Sequence, residues 1–387
     1  MVVARRIEQS NTTFGPGRFL DRVASVATPY LDALPVRWYK ERAPGLFSTA
    51  FLPDRVYSRI IATSPDVVHL HWINYGFVHP STLRKFKQPL VWTFHDQWPM
   101  TGGCHYSSGC TRFEKSCGAC PALLSKKDRD LSSCVMARKR SAWADVPITV
   151  VAPSRWMAAC AARSSLFANS RIHVIPNCMD TEVFRPLDKA MCRKLLGLPT
   201  EGTILLFAAI DGERDSRKGF DLLRDALLKL SKLEPTANMI AVVCGSGTLK
   251  GEYPVPVRTL GMLRDEISLC LAYNSADIFV SASREDNLPN TVLEAMSCGI
   301  PCVAFDVGGV SDLVVHRETG FLARPEDSAS LAEGIAWVLA VEARRKMLGD
   351  ACRQQALREN GAGVVANRHI ALYEQLLASP QMGRAPH

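Results

Sequence analysis

The 387-residue sequence lacks any apolar run approaching the roughly 18 residues that cross a bilayer, so no membrane-spanning helix is expected. It lacks internal repeats and low-complexity tracts, which excludes solenoids and repetitive linkers. The opening MVVARRIEQSNTT has no apolar centre of the kind a secretory signal carries, so the expected location is the cytoplasm. No basic motif interleaved with aromatic residues is present, and nucleic acid is not an expected partner.

What is present suits two globular domains. The chain is too long for one core, and its 47% hydrophobic and 22% charged residues are ordinary for a soluble fold. The net charge of +8 is uneven. Residues 1–175 hold 23 Lys+Arg against 11 Asp+Glu, whereas residues 176–387 hold 23 against 27. This asymmetry points to an acidic partner for the first half. A lipid pyrophosphate acceptor fits, as does peripheral contact with an anionic membrane at the inner face of the plasma membrane, where each basic residue contributes about 1 kcal/mol. Arg84-Lys85-Phe86-Lys87 and Arg138-Lys139-Arg140 are the visible clusters, although either alone also reads as a solvated helix face.

Short apolar runs alternate with helical stretches, the α/β pattern. Strands are expected at Val67–Leu70, Leu90–Phe94, Ile148–Ala152 and Ile172–Ile175, then at Ile204–Ala208, Met239–Cys244, Ile278–Ser281 and Cys302–Phe305. Runs this uniformly apolar suit parallel sheets covered on both faces. The fold class is therefore α/β, with two Rossmann-like doubly wound domains joined near Pro176–Pro186.

The most informative stretch is SREDNLPNTVLEAMSCGIPC at 283–302. A strand ends at Ser281, a tight loop follows, and a helix opens near Asn290-Thr291 and stops at Gly299 with Pro301 beyond. In an open α/β sheet such a loop and helix start lie at the carboxyl edge, where ligands bind. The unpaired amides favour a diphosphate, and Asp286 and Glu294 could accept hydrogen bonds from sugar or ribose hydroxyls. An ordinary βα unit with solvated acids produces the same pattern. Lys218, in RKG, occupies a helix start, a poor place for a cation on dipole grounds, which favours a functional reason for it; Arg217 stands second. Gly308-Gly309-Val310 with Ser311 as N-cap forms another anion cradle.

The 13 cysteines are a separate signal. Cys104, Cys110, Cys117 and Cys120 lie in GGCHYSSGCTRFEKSCGACP, inside a loop spanning 102–121. In a reducing compartment, clustering of this kind suggests a metal, and four thiolates at about 2.3 Å suit structural zinc. Free thiols, a redox pair and an iron–sulfur site are the alternatives. Asp128-Arg129-Asp130 matches the Asp-x-Asp of metal-dependent transferases but sits in a basic polar loop and reads as coincidence.

The 283–302 stretch resembles the donor-site motif of retaining GT-B glycosyltransferases of glycosyltransferase family 4, Glu-x7-Glu, with Asp286 at the first position and Glu294 at the second. DNLPNTVLEAMSCG is most similar to the bacterial exopolysaccharide branch, including enzymes of the colanic-acid type. RKGFDLL at 217–223 resembles the family's lysine-glycine helix start, FDVGGVSDLVVHRETGFL at 305–322 its Gly-Gly loop and Gly-Phe strand, and VIPNCMDTEVFRP at 174–186 its interdomain crossing. The resemblance covers roughly residues 60–375. It implies a GT-B fold whose two domains face across a cleft: an acceptor-side domain at 1–178, a nucleotide-sugar domain at 179–363, and a segment 364–387 whose helix crosses back to the first domain. The family opens with a strand, a glycine-rich turn and a helix. Here MVVARR resembles the second strand, and Gly15-Pro16-Gly17 follows no convincing first one, so the first βα unit is expected to be missing.

The resemblance further implies that Glu294 holds the donor's ribose. Asp286 and the amides of Asn287 and Leu288 would contact the transferred sugar, with Asn290 and Thr291 at the helix opening and Gly308 and Gly309 near the diphosphate. Lys218 would meet the diphosphate's charge. The arginine the family carries about six residues before the lysine is Gly212 here, with Arg214 out of register. His95, at the strand end in VWTFHDQWP, takes the place of the family's functional histidine; His71 edges the same region and His69 packs. No cofactor is expected for catalysis. The implied activity moves a sugar from a nucleotide diphosphate sugar to a lipid-linked or oligosaccharide acceptor. An epimerase or hydrolase of nucleotide sugars and a non-catalytic nucleotide-sugar-binding partner are the rival readings.

Overall fold

The computed structural model describes residues 19–208, 215–233, 238–245 and 252–379. The MVVARR strand, the Gly15-Pro16-Gly17 turn, Gly212, Arg214 and the tail after residue 379 lie outside the described residues. The chain divides into two compact units, one formed by residues 1–174 and 370–387, the other by residues 175–369.

The first unit contains a parallel four-stranded sheet of β1 (Val68–Leu70), β2 (Leu90–Thr93), β3 (Ile148–Ala152) and β4 (Ile172–Val174), ordered as in the chain. Every residue of β2 is buried, and every residue of β3, which is why their sequences run apolar instead of alternating. Trp92 on β2 meets Phe94, Trp143 and Phe167 edge-on, with ring centroids 5.3 to 6.2 Å apart. Each such pair contributes on the order of 1 kcal/mol beyond area burial. Trp143 arrives at the end of helix Leu131–Trp143, whose start is fixed by a capping box between Asp130 and Ser133.

The same helix corrects the basic-patch reading. Lys139 points inward and is fully buried, donating to the carbonyls of Trp98 and Thr101, while Arg138 donates to Thr49 O and Arg140 to Lys115 O. Arg84 donates to Ala142 O and Ser141 O. These cations satisfy backbone carbonyls of their own unit, so Arg138-Lys139-Arg140 is not simply a solvated helix face, whereas Arg84, Lys85 and Lys87 are all exposed.

The second unit contains a parallel six-stranded sheet of β5 (Thr203–Ala208), β6 (Met239–Cys244), β7 (Val257–Gly261), β8 (Ile278–Ser281), β9 (Cys302–Phe305) and β10 (Gly320–Ala323), in the order β10-β9-β8-β5-β6-β7. Alternation within each strand feeds two cores. Leu205, Phe207, Ile278, Val280, Val303 and Phe305 enter one, and Ile204, Leu206, Phe279, Cys302 and Ala304 the other. A strand with an apolar partner on both faces has no polar positions left, and the sequence reads accordingly. Chain order reverses between β5 and β8, so the segments that follow those two strands open at the sheet's switch point, the place where doubly wound sheets bind ligands.

Candidate active site

Three segments of the second unit converge at that edge. After β5, a 3₁₀ turn at Ser216–Lys218 ends at Gly219, with φ +68°. A Cβ on Gly219 would stand 2.0 Å from Ala282 O, so the turn presses directly on the exit of β8. Arg284 N donates to Arg217 O at 2.8 Å, tying the loop after β8 to that turn. Lys218 Nζ then reaches Asp286 Oδ2 at 2.9 Å, and Arg217 donates to the same oxygen at 3.3 Å and to Glu285 O at 3.0 Å. Asp286 is buried, and both cations are largely covered.

The third segment follows β9. Gly308, at φ +57°, lies so close to the loop that an added Cβ would stand 1.8 Å from Asp286 O, and Gly309 N donates to that oxygen at 3.0 Å. Gly261 also has a positive φ, +72°, but nothing within 4 Å of its Cβ position. Gly308→Ala is therefore expected to lower stability more than Gly261→Ala, by roughly 1–3 kcal/mol of strain. Urea unfolding of the two variants checks this, and equal midpoints would contradict the tight seat.

Glu294 sits in the second turn of helix Asn290–Ser297 and accepts a hydrogen bond from the hydroxyl of Tyr273 at 2.6 Å. Burial raises its pKa above the ordinary glutamate value, with the Tyr273 bond opposing. Asn290 Oδ1 accepts from Asn177 Nδ2 at 2.9 Å, which holds the helix opening; Thr291 follows, half-buried. Asn287 is buried, and Leu288 packs into the core while its carbonyl accepts from Asn177 Nδ2 at 3.3 Å. The fold thus assembles Arg217, Lys218, Asp286, Gly308 and Gly309 by direct contact, with Glu294 and Asn290 on the adjoining helix.

Two expectations are corrected. Ser311 is not an N-cap: Gly309, which has no side chain to cap with, occupies that position, and Ser311 lies inside the three-residue 3₁₀ turn Val310–Asp312. Three residues carry too little aligned dipole for a helix-type anion cradle. Lys218 does not begin helix Phe220–Leu233 but ends the turn just before it, where the dipole still disfavours a cation and the Asp286 carboxylate offsets it. Tyr273 and Asn177 were missed because neither lies in the motif their partners mark.

In the first unit, His95 follows β2 with its ring exposed. Its Nε2 lies 2.9 Å from His71 Nδ1, and the two rings stack at 5.2 Å. Protein around His95 lowers its pKa, opposed by the charge of Asp96. His69 lies inward of this pair, with Nε2 2.8 Å from Thr93 Oγ1 and Nδ1 2.5 Å from Tyr373 Oη. Asp96 accepts from Trp72 Nε1 and from His105 Nδ1, both at 2.7 Å, and His105 Nε2 lies 2.9 Å from Ser48 Oγ. Ser48, His105 and Asp96 have the connectivity of a hydrolytic triad, yet all three are buried and Ser48 is fully covered, so no substrate reaches the hydroxyl. The network instead fixes the strand-end loop that carries His95.

The four loop cysteines line one cavity of about 20 Å³. Among the described residues, no group of three or more His, Cys, Asp or Glu stands at ligation spacing as placed. Asp130 is used as the helix cap and also accepts from Cys120 N at 2.9 Å, which removes Asp128-Arg129-Asp130 from consideration as a donor-site metal motif.

Comparison with known proteins agrees with this architecture. Residues 12–183 match the family model described as Glycosyltransferase Family 4, and residues 202–340 match Glycosyl transferases group 1. The first part of the chain thus matches glycosyltransferase family 4 and the second glycosyl transferases group 1, and the fold is GT-B, with two parallel-sheet α/β domains. It is 28% identical over 65% of its length to a putative colanic acid biosynthesis glycosyl transferase, WcaC, of Escherichia coli K12, covering 62% of that protein. It is 31% identical over 54% of its length to D-inositol 3-phosphate glycosyltransferase 1 of Catenulispora acidiphila, covering 53% of it. The chain thus spans about half to three fifths of these relatives. Among solved structures, sucrose-phosphate synthase from Thermosynechococcus elongatus superposes with a TM-score of 0.63 at 21% identity, over 84% of this chain and 78% of that one. Anabaena HepE in complex with UDP-glucose superposes with a TM-score of 0.59 at 18% identity, over 83% and 82%. Among the described residues no helix is long and apolar enough to cross a membrane.

Proposed function

We propose that this chain is a retaining hexosyltransferase that moves a sugar from a nucleotide diphosphate sugar to a lipid-linked polysaccharide precursor. The observation that carries the proposal is the seating of Lys218 and Arg217 on Asp286, beneath the Gly308-Gly309 loop, at the switch point of the second sheet. Transfer breaks the bond between the anomeric carbon and the diphosphate oxygen and forms one to an acceptor hydroxyl, whose proton is lost. Negative charge grows on the departing diphosphate. Preorganised cations and amides aimed there lower the barrier. Lys218 and Arg217 supply the charge without a catalytic metal, while the carboxylates of Asp286 and Glu294 accept from hydroxyls of the transferred sugar and the ribose. His95, which lies 2.9 Å from His71, is the first domain's candidate for binding the sugar or the acceptor.

The exopolysaccharide assignment is supported by the similarity to the colanic acid enzyme, and a nucleotide-sugar donor by the UDP-glucose complex of the HepE structure. The surplus of basic residues in the first half favours an anionic acceptor such as a lipid pyrophosphate at a membrane face. The test is nucleoside diphosphate release from UDP-, GDP- and ADP-sugars, with and without lipid-pyrophosphate-linked acceptors. Release that depends on acceptor supports transfer. Equal turnover without acceptor marks a hydrolase or epimerase, and binding without turnover marks a non-catalytic partner.

A further inference from the structure

The loop that packs beside the Asp96 network has almost no core of its own. Between Gly102 and Pro121, only Phe113 and Cys120 are buried apolar residues, and the sole regular element wholly inside is the three-residue turn Arg112–Glu114. Yet the backbone is strongly constrained. Cys117, Gly118 and Ala119 take φ values of 55°, 96° and 40°, three successive left-handed residues of which two carry a Cβ. Such residues cost of order 1–3 kcal/mol each and persist only where surroundings over-determine them. A Cβ on Gly118 would stand 2.1 Å from Asp128 O, so this turn admits glycine alone.

The same loop brings four cysteines to the lining of one cavity. Cys104, Cys110, Cys117 and Cys120 all line the same cavity, and its roughly 20 Å³ admits a single atom-sized occupant. Gly102 N donates to Cys117 Sγ at 3.2 Å.

Lys139 supplies the independent observation. Its side chain is fully buried, its ammonium lies 3.5 Å from the centre of the Trp98 ring, and it donates to Thr101 O at 2.9 Å, next to the Gly102 amide that bonds Cys117. Among the described residues no carboxylate pairs with it. Burial lowers the Lys139 pKa to about 7, so its charged form is costly without an anion beside it. Zinc(II) bound by four thiolates carries a net charge of −2, an anion of the right sign in the right place.

We propose that Cys104, Cys110, Cys117 and Cys120 close on one zinc ion as a tetrathiolate structural site, with buried Lys139 as its charge partner. Binding converts four S–H groups to Zn–S bonds at about 2.3 Å and releases their protons to solvent, with no change in oxidation state. The site pins the loop and, through Thr101 and Trp98, the segment after Asp96.

The experiment uses the full chain, purified without chelator. Elemental analysis is expected to find about one zinc per chain, and modification of the wild-type thiols with p-mercuribenzoate to release the same amount. Cobalt exchange is expected to produce thiolate-to-metal charge-transfer absorption with the visible bands of a tetrahedral ion. Cys117→Ser/Cys120→Ser loses the metal, whereas Cys134→Ser, at an exposed cysteine outside the loop, keeps it. Lys139→Met should weaken zinc retention against a competing chelator by roughly 10- to 100-fold, the usual effect of removing an outer-shell partner. A folded, metal-free preparation that takes up no cobalt overturns the site, as does an iron–sulfur chromophore. Undiminished zinc in Lys139→Met overturns the role given to the lysine.

Discussion

Glu294→Ala is expected to lower turnover at least about a hundredfold while the chain remains folded. In the proposed reaction the carboxylate accepts charge-assisted hydrogen bonds from ribose hydroxyls, each worth about 1.5–3 kcal/mol, and loss of two such bonds accounts for the effect. Stability should fall by about 1–3 kcal/mol, because the Tyr273 hydroxyl loses its acceptor. Tyr273→Phe separates the two consequences, since it removes that hydroxyl and leaves the carboxylate; its turnover should stay within about tenfold of wild type. Burial raises the Glu294 pKa, so donor binding should weaken as pH falls through a value above the ordinary glutamate range, and Glu294→Gln should lack that acid limb. Full activity in Glu294→Ala would refute its placement at the donor.

Lys218→Ala carries the second large effect, an expected loss of about 10²–10³-fold in kcat/KM, comparable to removing one preorganised donor from an anionic transition state. The ion pair with Asp286 explains why the ammonium is aimed before any donor arrives. Arg217 touches the same carboxylate oxygen but divides its contacts among Asp215, Glu285 and Asp286, so Arg217→Ala should cost less. Asp286→Asn should loosen both cations at once, and its effect should not add to that of Lys218→Ala because the residues act as one cluster. Steady-state kinetics on the single and double variants measure the coupling. Strict additivity would mean that the cluster does not act together.

Much of this fold was legible because burial on both faces leaves a continuous apolar run. Ile148–Ala152, Met239–Cys244, Ile278–Ser281 and Cys302–Phe305 coincide with the expected strands, each with apolar clusters to pack against. Val257–Gly261 escaped because it lies at the sheet edge, pairs with β6 alone and carries the exposed Arg258 and Thr259. The motifs of the candidate site were visible as residues, but their contacts were not. Nothing in the spacing joins Lys218 to Asp286, 68 positions away, or Tyr273 to Glu294 across a strand and a loop. Lys139 was misread for a similar reason. A lysine flanked by two arginines looks solvated until the helix places it over Trp98. Short-range pattern reports which face a residue occupies only when its neighbours share one environment, and here they do not.

The seating of a nucleoside diphosphate at the carboxyl edge of the six-stranded sheet is tested most directly by calorimetric titration of the full chain with UDP, GDP and ADP. At least one of them should bind the wild type, bind Lys218→Ala at least tenfold more weakly, and bind more tightly than its own monophosphate. Equal affinity of all three nucleotides for wild type and Lys218→Ala would contradict it.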